Sequence, residues 1–157
     1  MRLIIFFLFA NFLYGANVET ISVFSMSMNK KIKNLVITPD QYADVSLSTV
    51  YLLHGAGGSY LDWNTKVQGL EQYCDKLNII LICPDGGDNS WYFDSPIDSN
   101  YRYETYICEE LVDFIDNKYL TKKDPKFRAI SGLSMGGHGA LYLSIKNQNI
   151  FGLAGSM

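Results

Sequence analysis

The chain has 157 residues, of which 48% are hydrophobic, 14% aromatic and 18% charged, with a net charge of −3. Such a length fits one domain, and such a composition belongs to a globular chain that buries a core, which excludes intrinsic disorder. The lysines and arginines form no basic cluster, so no nucleic-acid partner is expected, because phosphate binding needs a localised cationic surface.

Met1-Arg2 precede an apolar run from Leu3 to Leu13, closed by Tyr14-Gly15-Ala16. One positive charge, a short apolar core and small residues at its end describe a secretory signal peptide, and the run falls short of the roughly 20 residues of a membrane span. The expected division is a signal peptide at 1–16, cleaved after Ala16 despite the bulk of Tyr14, and a domain at 17–157. The product would be secreted or periplasmic, without stable membrane association after cleavage. A buried or anchoring N-terminal helix is the competing reading. Cys74, Cys83 and Cys108 are odd in number and lack C-x-x-C spacing, so zinc is not indicated. Export would permit one disulfide without singling out a pair, and Cys83, inside an apolar run, reads as an inert core residue.

Val18 to Ser25 and Lys31 to Ile37, joined around Met28-Asn29-Lys30, alternate in polarity and read as an antiparallel pair at a sheet edge. Ser48 to Leu53 is a short apolar strand running into His54-Gly55-Ala56-Gly57-Gly58, where the meander gives way to αβ alternation. A helix is expected from near Asn64 to Leu77. Asn78 to Pro84 is continuously apolar and reads as a central parallel strand covered on both faces, followed by a loop at Asp85 to Ser90. Tyr103 to Leu120 carries Ile107, Leu111, Phe114 and Ile115 at helical spacing, with Glu109, Glu110, Asp113 and Asp116 as its expected solvated face. A strand at Phe127 to Ser131, a helix at Gly136 to Lys146 and the start of a strand at Phe151 to Met157 complete the chain.

Ala129-Ile130-Ser131-Gly132-Leu133-Ser134-Met135-Gly136-Gly137 is a buried strand entering G-x-S-x-G and then a helix, the context in which a serine is held on a sharp strand-to-helix turn. A serine hydroxyl is a weak nucleophile at neutral pH, so it needs exposure, donors for the developing oxyanion and a base. The turn supplies the first two. Ser134 is the candidate nucleophile and the Met135 N–H, at the helix start, a candidate oxyanion donor.

These motifs occur in order with Tyr51-Leu52-Leu53-His54-Gly55-Ala56-Gly57-Gly58 and the Trp63 after it, Cys83-Pro84-Asp85-Gly86, Ser90-Trp91-Tyr92-Phe93-Asp94-Ser95, and Tyr103-Glu104-Thr105 with Glu110-Leu111. As an ordered set, covering about residues 18–157, they resemble the putative-esterase family of α/β-hydrolases, which includes S-formylglutathione hydrolase, tributyrin, feruloyl and acetylxylan esterases and the antigen 85 mycolyltransferases. The resemblance implies an α/β-hydrolase fold, a mostly parallel sheet with helices on both faces, here truncated after about the sixth strand. It implies ester hydrolysis through an acyl-serine at Ser134, with the N–H groups of Met135 and Ala56 as oxyanion hole and no metal or organic cofactor. Trp63, Trp91 and Tyr92, in loops leaving strand ends, are candidates for the substrate pocket. In this family the triad runs serine, acid, histidine, so His54 is expected to order its loop and His138 to pack beside the turn. Asp85 and Asp94 precede Ser134 and are assigned turn and hydrogen-bonding roles.

After Ser134 there is no aspartate or glutamate, and the only histidine is His138. The triad cannot be completed in the family's order, so the chain reads as a fragment whose acid and histidine are encoded beyond Met157. Alone it is expected to be inactive and, with an uncovered sheet, prone to aggregate. The full-length parent is expected to be a serine carboxylesterase acting on a small-molecule or carbohydrate ester. The alternatives are S-formylglutathione hydrolase, disfavoured because its substrate is cytosolic, an acyltransferase of the same family, and a hydrolase-fold binding protein that has lost catalysis.

Overall fold

The computed structural model describes residues 15–40, 42 and 44–157; the signal-peptide segment therefore lies almost wholly outside the described residues. The chain forms β1 (Asn17–Ser25), β2 (Lys30–Thr38), β3 (Ser48–Leu53), α1 (Asp62–Lys66), α2 (Leu70–Leu77) and β4 (Ile79–Pro84). Then follow α3 (Tyr103–Thr105), a π-helical segment (Tyr106–Leu111), α4 (Val112–Lys118), β5 (Arg128–Gly132), α5 (Met135–Lys146) and β6 (Leu153–Ser156). One sheet of six strands has the order β1-β2-β4-β3-β5-β6. The β1–β2 hairpin lies at one edge, as its alternation implies, and β3, β4, β5 and β6 run parallel.

The pleat divides the core. Val36, Tyr51, Leu53, Ile80, Ile82 and Ile130 point to one face, where the helical segment 103–118 and α5 cover them. Leu35, Ile37, Leu52, Leu81 and Cys83 point to the other, against Leu70 and Cys74 of α2. Side chains alternate across a strand, so only a strand apolar at every position serves both layers. β4 does this, but it is parallel on one side only, because β2 pairs with it antiparallel.

Three expectations are corrected. The helix from Asn64 to Leu77 is two helices, interrupted at Gly69, which takes a left-handed φ of 76° that a residue with a side chain adopts at a cost. The segment 103–118 is not uniform α-helix, since Tyr106–Leu111 is wound as a π-helix. Its acidic residues are not all solvated. Glu109 and Asp113 are exposed, but Glu110 accepts a 2.7 Å hydrogen bond from the Ser27 N–H. Asp116 pairs with Arg128 at 2.5 Å, their side chains 10% and 4% exposed. The three cysteines are free thiols, all buried, and desolvation pushes the Cys83 thiol up to about 12, so it is an inert core residue as its surroundings imply.

Candidate active site

Strands that run parallel bring their carboxyl ends to one rim, where loops meet. Here the loops after β3, β4 and β5 interlock. The Gly57 N–H donates to the Asp88 carbonyl at 2.7 Å, the Gly86 N–H to His54 Nε2 at 2.8 Å, and the Leu133 N–H to the Leu53 carbonyl at 3.3 Å. Ser134 stands in this rim with φ 56° and ψ −116°, a conformation that non-glycine residues adopt at a cost of about 1–3 kcal/mol and only when their surroundings impose it.

The surroundings do so through close backbone approach. A Cβ at Gly132 would lie 2.3 Å from the Gly136 carbonyl carbon, and one at Gly136 would lie 2.3 Å from the Leu53 carbonyl oxygen. The chain can therefore turn this tightly only with glycine on both sides of the serine. The Ser134 N–H donates to the Met157 carbonyl at 2.8 Å and the His138 N–H to the Ser134 carbonyl at 3.0 Å, while the Ser134 residue is exposed. Gly55 adjoins it, since a Cβ there would lie 3.6 Å from the Ser134 Cβ. Among the described residues no acceptor meets the N–H of Met135 or of Ala56. An exposed hydroxyl beside such donors is the arrangement that stabilises an oxyanion formed at an attacked carbonyl.

A family model described as Putative esterase matches residues 25–157. The chain belongs to this family. An acetyl esterase of Caldicellulosiruptor saccharolyticus is 31% identical over 85% of the chain and 53% of that protein. The S-formylglutathione hydrolase of Rattus norvegicus is 29% identical over 78% of the chain and 50% of that protein. The chain thus spans about half the length of these relatives. Among solved structures, a ferulic acid esterase superposes with a TM-score of 0.79 at 29% identity, covering 90% of this chain and 57% of that one. The fold is accordingly the α/β-hydrolase fold of the esterases.

Within this family frame the two histidines differ: His54 has both ring nitrogens engaged, whereas His138 Nδ1 is buried with no hydrogen-bond partner among the described residues. The Gly86 N–H donates to His54 Nε2, so that nitrogen carries the lone pair, and Nδ1 bears the proton it gives to the Gly55 carbonyl at 2.8 Å. His54 is 1% exposed and ties the loop after β3 to the loop after β4. His138 packs as a ring beside the turn: it stacks on Tyr142 with centroids 6.0 Å apart and meets Trp91 and Phe93 edge-on at 5.3 and 5.1 Å. The Asp85 carboxylate accepts from the Gly87 N–H at 2.9 Å and Asp94 from the Thr105 N–H at 3.0 Å, the turn roles their positions imply.

The three aromatic pocket candidates separate. Trp63 lines a small cavity next to Gly55 and Leu133, with its indole N–H donated to the Leu53 carbonyl at 3.0 Å. Trp91 is exposed and stands against His138 of α5. Tyr92 is a correction: it is fully buried, its hydroxyl donates to the His54 carbonyl at 3.0 Å, and its ring fills the space above Gly86 and Gly139. It supports the loop from beneath instead of lining a pocket. An aromatic in a loop after a strand gave no sign of this, whereas the glycines that leave room for the ring do. Glu104, part of the Tyr103-Glu104-Thr105 motif but given no role by the sequence, takes hydrogen bonds of 2.8 Å from both Tyr142 and Lys146 and so fastens α5 to α3. Those hydrogen bonds outweigh the effect of burial and hold its carboxyl below the ordinary glutamate range.

Proposed function

We propose that the protein is a serine carboxylesterase in which Ser134 attacks the carbonyl carbon of a small acyl or polysaccharide-linked ester. The Ser134 proton passes to an imidazole as the Oγ–C bond forms, and the Met135 and Ala56 N–H groups receive the oxyanion. Collapse breaks the bond to the alcohol oxygen, which leaves with that proton, and water then releases the acid by the same route. The observation that carries this reading is the strained, exposed Ser134 at a helix start, beside two amides without acceptors.

The chain spans about half the length of its relatives, and we propose that the imidazole and its carboxylate partner lie in the rest of a longer protein. The His138 ring, though its Nδ1 has no hydrogen-bond partner among the described residues, is packed against Trp91, Phe93 and Tyr142. His54 has both ring nitrogens engaged, and no Asp or Glu follows Ser134. The apolar run ahead of Ala16 supports action outside the cytoplasm, which favours an external ester over the cytosolic S-formylglutathione. The test is hydrolysis of p-nitrophenyl acetate by the natural full-length product, by its Ser134→Ala variant and by the 157-residue chain. Turnover by the full-length wild type alone supports the reading. A folded full-length product without turnover refutes it in favour of a binding protein on this fold, and acyl transfer to an added sugar faster than to water makes it a transferase.

A further inference from the structure

A cavity of about 80 Å³ lies beside the turn that holds Ser134, reaching that turn through Leu133 and not Ser134 itself. Its lining includes Gly55 and Leu133, the residues directly before Ala56 and Ser134, with Trp63, Val67 and His54. Asp62 and Lys66, also at this cavity, pair with each other at 2.6 Å, so neither presents a free charge to a ligand. The Trp63 wall is held by the 3.0 Å bond from its indole to the Leu53 carbonyl. The space is thus mainly apolar and small, and it touches both segments that carry the proposed oxyanion donors.

We propose that this cavity receives the acyl group and restricts it to two or three carbons, acetyl or propionyl, with Trp63 and Val67 setting the limit; this rests on the esterase reading above. Two arguments place the acyl group here and not the alcohol. The alcohol must leave and water must enter between the two half-reactions, which requires the open side of the serine. The acyl group stays on Ser134 Oγ throughout, and an apolar wall that offers it no hydrogen bond suits an alkyl chain. Size then sets the limit. An apolar cavity of roughly 150 Å³ takes up benzene, and this one has about 80 Å³. It has room for a methyl or ethyl group and none for the ring of a feruloyl group.

The experiment measures kcat/KM of the full-length product on p-nitrophenyl acetate, propionate, butyrate and hexanoate and on methyl ferulate, for wild type, Val67→Ala and Val67→Phe. Val67 is only partly buried, so these variants disturb folding less than removal of Trp63 and its hydrogen bond. Each methylene beyond the limit is expected to cost about tenfold or more. Val67→Ala should raise the hexanoate-to-acetate ratio by about tenfold, and Val67→Phe should depress propionate relative to acetate. Ratios among ethyl, 1-naphthyl and p-nitrophenyl acetates should stay as in wild type. Hexanoate or methyl ferulate processed as fast as acetate by wild type overturns the proposal, as does a Val67 variant that moves the alcohol ratios instead of the acyl ratios. A product that hydrolyses no ester and takes no fluorophosphonate label retires the esterase reading itself, an outcome distinct from active enzyme with the wrong acyl preference.

Discussion

Replacing Asp116 with alanine is expected to destabilise the protein by about 3–5 kcal/mol. The carboxylate lies 2.5 Å from Arg128 Nη2, and Thr121 donates to its other oxygen at 2.6 Å. Were the pair exposed, its loss would cost no more than about 1 kcal/mol. With side chains 4% and 10% exposed, the variant instead leaves a buried guanidinium whose remaining protein partner is the Ile150 carbonyl at 3.0 Å. Arg128 opens β5, so the loss falls on the strand that leads into the Ser134 turn. Urea unfolding followed by the fluorescence of Trp63 and Trp91 reads the effect, which at a slope of about 2 kcal/mol per molar moves the midpoint by roughly 2 M. The double variant Asp116→Leu with Arg128→Met removes both charges together. It should cost only about 1–2 kcal/mol, chiefly the Ile150 carbonyl left without its donor. A single variant within about 1 kcal/mol of wild type, or a double variant as damaging as the single, would refute the reasoning.

Glu104 makes stability depend on acid. Its carboxyl is held below the ordinary glutamate range in the folded chain, so its contribution is present in full above the unfolded value of about 4.3 and is lost as pH falls through the lowered folded one. Glu104→Gln should therefore narrow its deficit against wild type in urea titrations carried from pH 6 towards pH 3; a constant deficit would contradict this. The cysteines give a further check. Desolvation pushes Cys74, Cys83 and Cys108 up to about 12, so at pH 8 a disulfide reagent such as DTNB should react with none of them in the native protein and with all of them in denaturant. Fast labelling of the folded chain would show that the layers they occupy are open.

The turn at Ser134 was legible because its chemistry is local. Gly132 and Gly136 lie two residues either side of the serine; the contact that demands Gly132 is made within the same turn, whereas Gly136 is demanded by the Leu53 and His54 carbonyls at the end of β3. Strands β1 to β5 were legible from alternation or from apolar runs, which report directly on one or two covered faces, whereas the short β6 has no such pattern and is largely exposed. The π-helical winding of Tyr106–Leu111 was not, since its buried residues, among them Ile107, Cys108 and Leu111, do not distinguish it from an α-helix over so short a span. The buried role of Asp116 was hidden for another reason. Its partner begins β5, and only the packing of α4 onto the sheet brings them together, so on a helical wheel it is one acid among four. Tyr92 was misplaced because loop aromatics are exposed by default. Its burial depends on room left by Gly86 and Gly139, residues on two other segments.

The central claim is that Ser134 is the nucleophile, and the most direct test is covalent. The full-length product is treated with a fluorophosphonate probe and digested, and the modified peptide is sequenced by mass spectrometry beside a Ser134→Ala control. One modified residue, Ser134, is expected, with no label in the control. Label on another residue, or label that survives in Ser134→Ala, would contradict it.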